Sequence, residues 1–212
     1  SLSLLSSIAS ASGYTVLIAT YVVFLVAERT PMSAKIDLVL HSSQGRGAAR
    51  NVLSQINDQI VTYLSTKTLI NVALGVVSWA LMKLLGIENA VFWAFVIGVF
   101  NYIPYVGSLL GVAVVVIYVA MMTADLSLTI MTMIPLTLAQ VVIGNYFEPR
   151  VMSRSLNLSP VVVLFALVVW AAIWGLAGAI IAVPMTSIVM IILASFDSTR
   201  PIAVLASRDG TL

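Results

Sequence analysis

The sequence predicts an all-α, polytopic helical membrane protein with three ordinary spans and two inverted helical hairpins that are short enough to be re-entrant. Three observations carry this. Of 212 residues, 61% are hydrophobic and only 8% charged, with a mean hydropathy of +1.11, far beyond what a water-soluble core of this size requires. The charged residues leave five uninterrupted apolar stretches: Ser1 to Ala27, Thr68 to Met82, Asn89 to Ala124, Leu126 to Phe147 and Ser155 to Phe196. Two of these are too long for one crossing, and each is broken near its middle.

A helix needs about 20 apolar residues to cross the ~30 Å hydrocarbon core, where an ionisable group costs roughly 2.5 to 3.5 kcal/mol. Ile8 to Ala27 within residues 1–27 and Leu126 to Tyr146 within 125–147 each meet that length. Lys67 to Gly86 makes a third span, with Lys83 near enough to its end to reach the headgroups. Residues 28–66 form a loop that contains an amphipathic helix. Its apolar face is Val52, Leu53, Ile56, Ile60, Tyr63 and Leu64, opposite Arg50, Asn51, Gln55, Asp58 and Gln59. Such a helix either lies at the interface and feeds the span over 67–86 or packs between protomers.

The segment 67–124 thus holds a span plus the first hairpin. Ala90 to Phe100 runs into Asn-Tyr-Ile-Pro-Tyr-Val-Gly at 101–107, where Pro104 removes a donor and Gly107 permits positive φ. The second hairpin occupies 160–196. There Val161 to Ile173 runs into Trp-Gly-Leu-Ala-Gly at 174–178, after which Ala179 to Leu193 carries Pro184. The leading arms of about 11 to 15 residues reach only ~16 to 22 Å. Gly107-Ser-Leu-Leu-Gly-Val112 matches Gly178-Ala-Ile-Ile-Ala-Val183 at an offset of 71 residues. The single span between the hairpins makes them open from opposite sides. Interrupted segments in corresponding positions of inverted halves point to a transporter's binding site, because unwound backbone survives at membrane depth only where protein or a cavity satisfies it.

Orientation follows from the cations. With 28–66 on the cytoplasmic side, the loop 148–159 and the tail 197–212 share that side, nine of ten Lys and Arg face inward and only Lys83 lies outside. The C-terminus is then cytoplasmic and the protein sits in the plasma (inner) membrane.

Several classes of chemistry are disfavoured. The net charge of +2 is too small for a nucleic-acid surface. With no cysteine and His41 as the one histidine, neither a zinc cluster nor HExxH can be assembled. Paired intramembrane carboxylates and a GxSxG elbow are also missing. No enzymatic activity, cofactor or metal site is expected.

Polar residues inside the spans are the candidates for solute handling. Asn101, Tyr102 and Ser108 surround the first break, where they either bind a polyol or a dehydrated cation or cap the broken helix. Asn145 and Glu148 share a helix face and Gln140 is roughly aligned with them. Pro135 is expected to kink this span. Glu148 either titrates or binds a cation, or else forms a clamp with Arg150 or Arg154. Pro149 ends one helix and Pro160 starts the next. Trp170 and Trp174 either pack or present an aromatic wall.

The run from Tyr63-Leu-x-x-Lys-Thr68 through Gly75, Trp79, Leu85-Gly86 and Phe100-Asn-Tyr-Ile-Pro-Tyr-Val-Gly-Ser108 resembles the AI-2E family of membrane transporters. So does the run from Asn145 to Pro160, followed by Trp174-Gly-Leu-Ala-Gly178 and Val183-Pro184. The resemblance implies a transporter that exports a small polar solute such as autoinducer-2, in quorum sensing, or exchanges Na+ and H+. It also implies a homo-oligomer such as a pentamer. Members usually carry further spans upstream, so this chain is expected to be a C-terminal portion or a short member. The site is then expected between the two breaks, at Asn101, Tyr102, Pro104, Gly107 and Ser108 on one side and Trp174, Gly175 and Gly178 on the other. Asn145 and Glu148 flank it, with Glu148 as the ion-coupling residue. A non-transporting membrane scaffold and a passive channel are the rival functions.

The cation asymmetry yields a direct test. A single cysteine at Ser155 should resist an impermeant external thiol reagent in intact cells, whereas one at Asn89 should react. Labelling at Ser155 from outside would invert the topology.

Overall fold

The computed structural model describes residues 43–152 and 157–210, together with 20, 23 and 24. The span expected over 1–27 and the loop before Ser43 lie outside the described residues, apart from those three positions. Arg154 and Ser155 also lie outside them.

The first described helix, α1 (Ser43–Leu84), is 42 residues long. The amphipathic segment and the following span are therefore one helix, with no break at 66/67. The reason is local: no proline falls between Arg50 and Leu84, and the Lys67 charge is neutralised by a partner on another helix. At the other end, Gly86 takes φ 73°. Ile87 N–H donates to the Met82 carbonyl at 3.0 Å and Gly86 N–H to that of Lys83 at 3.2 Å, a Schellman closure that only a left-handed residue permits without strain.

The first hairpin consists of α2 (Ala90–Phe100), a turn over 101–105 and α3 (Val106–Thr123). The trailing arm is long and apolar enough to cross the bilayer, unlike its shorter leading partner. Asp125 then caps α4 (Leu126–Gln140), accepting from Ser127 N–H at 2.8 Å and Leu128 N–H at 3.2 Å. This helix continues through a π-helical segment (Val141–Phe147) into α5 (Glu148–Met152). One core joins α1 to α4: Leu74 and Met82 on α1, Ala94 and Ile97 on α2, Val112, Val115 and Val119 on α3, and Leu136 on α4.

The second hairpin is α6 (Pro160–Ala194), in which Gly175 breaks the helix at φ 61°, ψ −140°. Trp170 Nε1–H donates to Thr186 Oγ1 at 2.9 Å. In a straight helix, residues sixteen apart would lie ~24 Å from one another, so the chain doubles back and the two arms pack together. Leu167 and Trp170 meet Ala179 and Ala182, with Ile103 from the first turn completing the cluster. After α7 (Arg200–Ala206), Ser207 forms an antiparallel bridge with Leu158.

The two hairpins open towards opposite ends of α1. The base of the first lies with Met82 and Ile87, and its turn reaches back to Asn71 and Thr68. The base of the second lies beside Tyr63, which packs with Leu158, Val162, Val163 and Val183. The chain is an all-helical polytopic membrane protein, with four described helices long and apolar enough to cross a membrane.

The matching glycines of the sequence repeat hold the same structural position. A Cβ on Gly107 would lie 1.7 Å from the Phe100 carbonyl oxygen, and one on Gly178 would lie 1.9 Å from that of Trp170. Each lets the trailing arm cross the end of the leading arm with backbones in contact. Gly107→Val and Gly178→Val should each destabilise the fold by more than the ~1–3 kcal/mol of ordinary overpacking, read as loss of the monodisperse, thermally cooperative species in detergent. Gly75→Ala is the control, since its Cβ would meet the Ala94 oxygen at 3.5 Å, an ordinary contact.

Candidate functional site

Three segments converge here: the first hairpin turn, α1 and the end of α4. On α1, Lys67 and Asn71 lie one turn apart and share a face. Both are buried, at 3% and 4% exposure. The turn brings Asn101 between Asn71 and Gln140. Asn101 Nδ2–H donates to Asn71 Oδ1 at 2.7 Å and Gln140 Nε2–H donates to Asn101 Oδ1 at 2.7 Å, so three amides form a ladder across α1, the turn and α4. At its ends, Asn71 Nδ2 and Gln140 Oε1 are buried without a protein partner.

The π-helical segment determines what faces this ladder. In a π-helix, hydrogen bonds close from i to i+5; here Glu148 N–H donates to the Ile143 carbonyl. The wider turn brings residues about four to five apart into line, so Gln140, Gly144, Asn145, Glu148 and Pro149 all face one cavity. Pro149, which has no N–H to donate in any register, stands just past this segment. Gly144 leaves room for the Gln140 amide, whose Nε2 would be only 3.1 Å from a Cβ at that position.

Glu148 forms an ion pair and hydrogen bond with Lys67 on α1. The Arg150 guanidinium lies 3.5 Å above the Tyr146 ring centroid, and the π segment turns Glu148 towards Lys67 on α1. Arg154 is outside the described residues.

The cavity has a volume of about 690 Å³, enough for a small organic solute. Its walls include Asn101, Pro104, Ser108, Asn145 and Glu148 from the expected set, together with Tyr63, Lys67 and Gln140. Asn157, Arg208 and Asp209 line it as well, joined by a hydrogen bond from Asn157 to Asp209 and another from Arg208 N–H to the Asn157 carbonyl at 3.2 Å. Tyr102 instead shares a 2.7 Å hydrogen bond with Thr68 and lines an adjacent apolar groove between α1 and α2. Gly107 is consumed in the crossing with Phe100.

The second break does not join these residues. Trp174, Gly175 and Gly178 are not among those lining the cavity. Gly178 packs on the Trp170 carbonyl, and the Trp170 and Trp174 rings lie 5.3 Å apart. The first turn meets the second hairpin through Ile103, which packs on Leu167, Ala179 and Ala182 on either side of the second break. Sequence reasoning missed Lys67 and Asn71. Their signal was present: Lys67 stands inside the Tyr63 to Thr68 motif, and Asn71 is an amide within an apolar stretch.

The model of the AI-2E family transporter matches residues 1–197. The AI-2 transport protein TqsA of Escherichia coli (strain K12) is 32% identical over 209 residues, covering 96% of this chain and 58% of TqsA. A protein of Borreliella burgdorferi is 35% identical over 141 residues, covering 66% of this chain and 39% of that protein. YrrI of Bacillus subtilis (strain 168) is 27% identical over 198 residues, covering 92% of this chain and 56% of YrrI. The chain spans less than two thirds of the length of each of these relatives. It belongs to the AI-2E transporter family.

The amide ladder can be tested apart from any transport assay. Asn101→Leu removes both central hydrogen bonds and leaves two buried amides without partners, at roughly 1–3 kcal/mol each. Thermal unfolding in detergent should shift clearly downward, and a wild-type midpoint would show that the ladder contributes nothing to stability.

Proposed function

We propose that this AI-2E family chain carries the solute and ion pathway of a plasma-membrane transporter, with the cavity beside Lys67 and Glu148 as its binding site. The observation that carries this reading is the ion pair between α1 and the end of the π segment. An ionisable residue in a membrane bundle is expensive and usually sits where ions or solutes pass. Here the pair borders a polar cavity flanked by a discontinuous hairpin, the setting in which transporters place their sites.

The cavity's chemistry favours a small, neutral, hydroxyl-rich solute. Asn101, Ser108, Gln140 and Asn145 present both donors and acceptors, and Tyr63 and Ile103 supply apolar contact. AI-2 is the first solute to test, because TqsA is named for its transport. Pro104 shapes the turn, Tyr102 anchors it to Thr68, and Trp174, Gly175 and Gly178 serve as the bend of the second hairpin. Glu148 is the coupling residue, binding Na+ or H+. The proposal includes an inward C-terminus and a homo-oligomeric assembly.

A scaffold or a passive channel would not concentrate solute. The full-length transporter in liposomes should accumulate AI-2 against its gradient when a Na+ or H+ gradient is imposed. Glu148→Gln, which keeps shape and hydrogen bonding but removes the charge, should lower ion-driven accumulation by at least about tenfold while downhill exchange persists. An assembled variant that still concentrates solute with wild-type ion dependence would remove Glu148 from the coupling role.

A further inference from the structure

A cation arriving at Glu148 meets a carboxylate that is already occupied. The Lys67 ammonium holds it, and Lys67 is 3% exposed while the Glu148 side chain is 22% exposed. Lys67 therefore has almost no access to water, whereas Glu148 opens into the cavity. The two partners are tethered to different elements, α1 and the end of the π segment.

We propose that Lys67 is a tethered competitor for the coupling cation, so that loading of Glu148 requires the Lys67 ammonium to leave it. This rests on the coupling role of Glu148 proposed above and adds a residue that sets cation affinity and links binding to movement. A monovalent cation at Glu148 and the Lys67 ammonium satisfy the same carboxylate charge. Both cannot bind it fully, because they draw on the same carboxylate oxygens and two cations held at one carboxylate repel each other.

Displacement is possible only if the freed ammonium finds another acceptor. Gln140 Oε1 is such an acceptor: it is buried, has no protein partner, and belongs to a residue that lines the same cavity as Lys67. Gln140 is 8% exposed. Passing from a carboxylate to a neutral amide oxygen weakens the ammonium's hold, so the exchange reverses when the cation departs. The amide ladder supplies a reason for the unsatisfied oxygen at its end, because Gln140 donates its N–H to Asn101 and directs the carbonyl elsewhere. Glu148 and Gln140 both lie on the continuous rod of α4, the π segment and α5, so the exchange moves the Lys67 ammonium along that rod.

Competition has a quantitative signature. If the pair is closed nine-tenths of the time, only about one-tenth of the protein is ready to bind, and removing the competitor tightens apparent affinity about tenfold. Replacing the competitor with one that grips harder has the opposite effect. A guanidinium can bind a carboxylate bidentately and is the stronger partner. A purely structural pair would not move affinity in opposite directions for the two substitutions.

The test uses the purified full chain in detergent, with wild type, Lys67→Gln, Lys67→Arg and Glu148→Gln compared by cation-dependent thermal stabilisation. One arm titrates Na+ at fixed alkaline pH with choline as replacement; the other titrates protons without Na+. Tyr63, Tyr105, Arg208 and Asp209 also line the cavity, and Glu148→Gln isolates the response of Glu148 from theirs. In the arm where wild type responds, Lys67→Gln should reach half-saturation at about tenfold lower cation concentration and Lys67→Arg at several-fold higher concentration. If Lys67→Gln fails to assemble, the upward shift in Lys67→Arg carries the test. Wild-type half-saturation in the assembled lysine variants, with the response lost in Glu148→Gln, overturns the competitor role alone. A wild-type response in Glu148→Gln, or none in wild type in either arm, removes the coupling role of Glu148 and the competitor with it.

Discussion

In hydrocarbon, a backbone N–H or carbonyl released by a helix break has no water to turn to, and each one left unsatisfied costs several kcal/mol. The region around the first hairpin is organised by that requirement. Tyr105 adopts φ 61° to reverse the chain. The released groups are then recovered locally: Gly107 N–H bonds to the Ile103 carbonyl at 3.0 Å and Ile103 N–H to that of Phe100 at 2.9 Å. The Ser108 hydroxyl donates to the Tyr105 carbonyl at 2.8 Å. Because the turn closes on itself, the Asn101 side chain is released from capping duty and can bridge α1 and α4. Of the two readings open for Asn101 in the sequence, capping is not what its side chain does, since it bonds Asn71 and Gln140.

The π-helical segment works by the same rule in reverse. Pro149 leaves the ladder one donor short in either register. The i→i+5 bonding before it widens the turn. The widened turn places Gln140, Asn145 and Glu148 on one wall, although their spacings of five and three do not superpose on a regular α-helix. A backbone accommodation thus creates the polar face. The Lys67 pair then follows, since removing one partner of a buried ion pair costs about 3–5 kcal/mol and each charge here holds the other in place. That mutual dependence also explains how α1 continues as a helix past a charged residue.

Much of this architecture was legible in the sequence, because charge placement and helix length are direct consequences of bilayer thickness. Among the described residues, the spans over 67–86 and 126–146, both hairpins and their breaks at 101–107 and 174–178 follow from these alone. Which face of a turn meets which helix does not, because apolar periodicity is nearly silent in a helix that is apolar all round. Spacing places Lys67 at a span boundary and leaves Glu148 between a coupling role and a clamp with nearby arginines, and it does not reveal the contact between the two, 81 residues apart. Proximity in sequence is a poor guide when a π segment rotates the side chain. The symmetry of the two breaks in the sequence does not show which residues of each meet; Ile103 of the first turn packs on Leu167, Ala179 and Ala182 around the second.

That asymmetry bears on what the internal repeat preserves. Gly107 and Gly178 occupy the same structural role, each admitting a backbone crossing that any side chain would block. Around Gly107 the turn carries Asn101, Tyr102 and Ser108, all with hydrogen-bonded side chains. Around Gly178 the neighbours are Trp174, Gly175, Leu176 and Ala177, and the Trp170 indole is the group that secures the bend. The repeat therefore conveys a way of folding a hairpin without water, and it is neutral about chemistry. Once both hairpins satisfy their own backbones, polar side chains can be concentrated at one turn while the other remains apolar. A site built on that one turn needs its remaining walls from elsewhere, and α1 and the re-registered end of α4 are the elements that supply them.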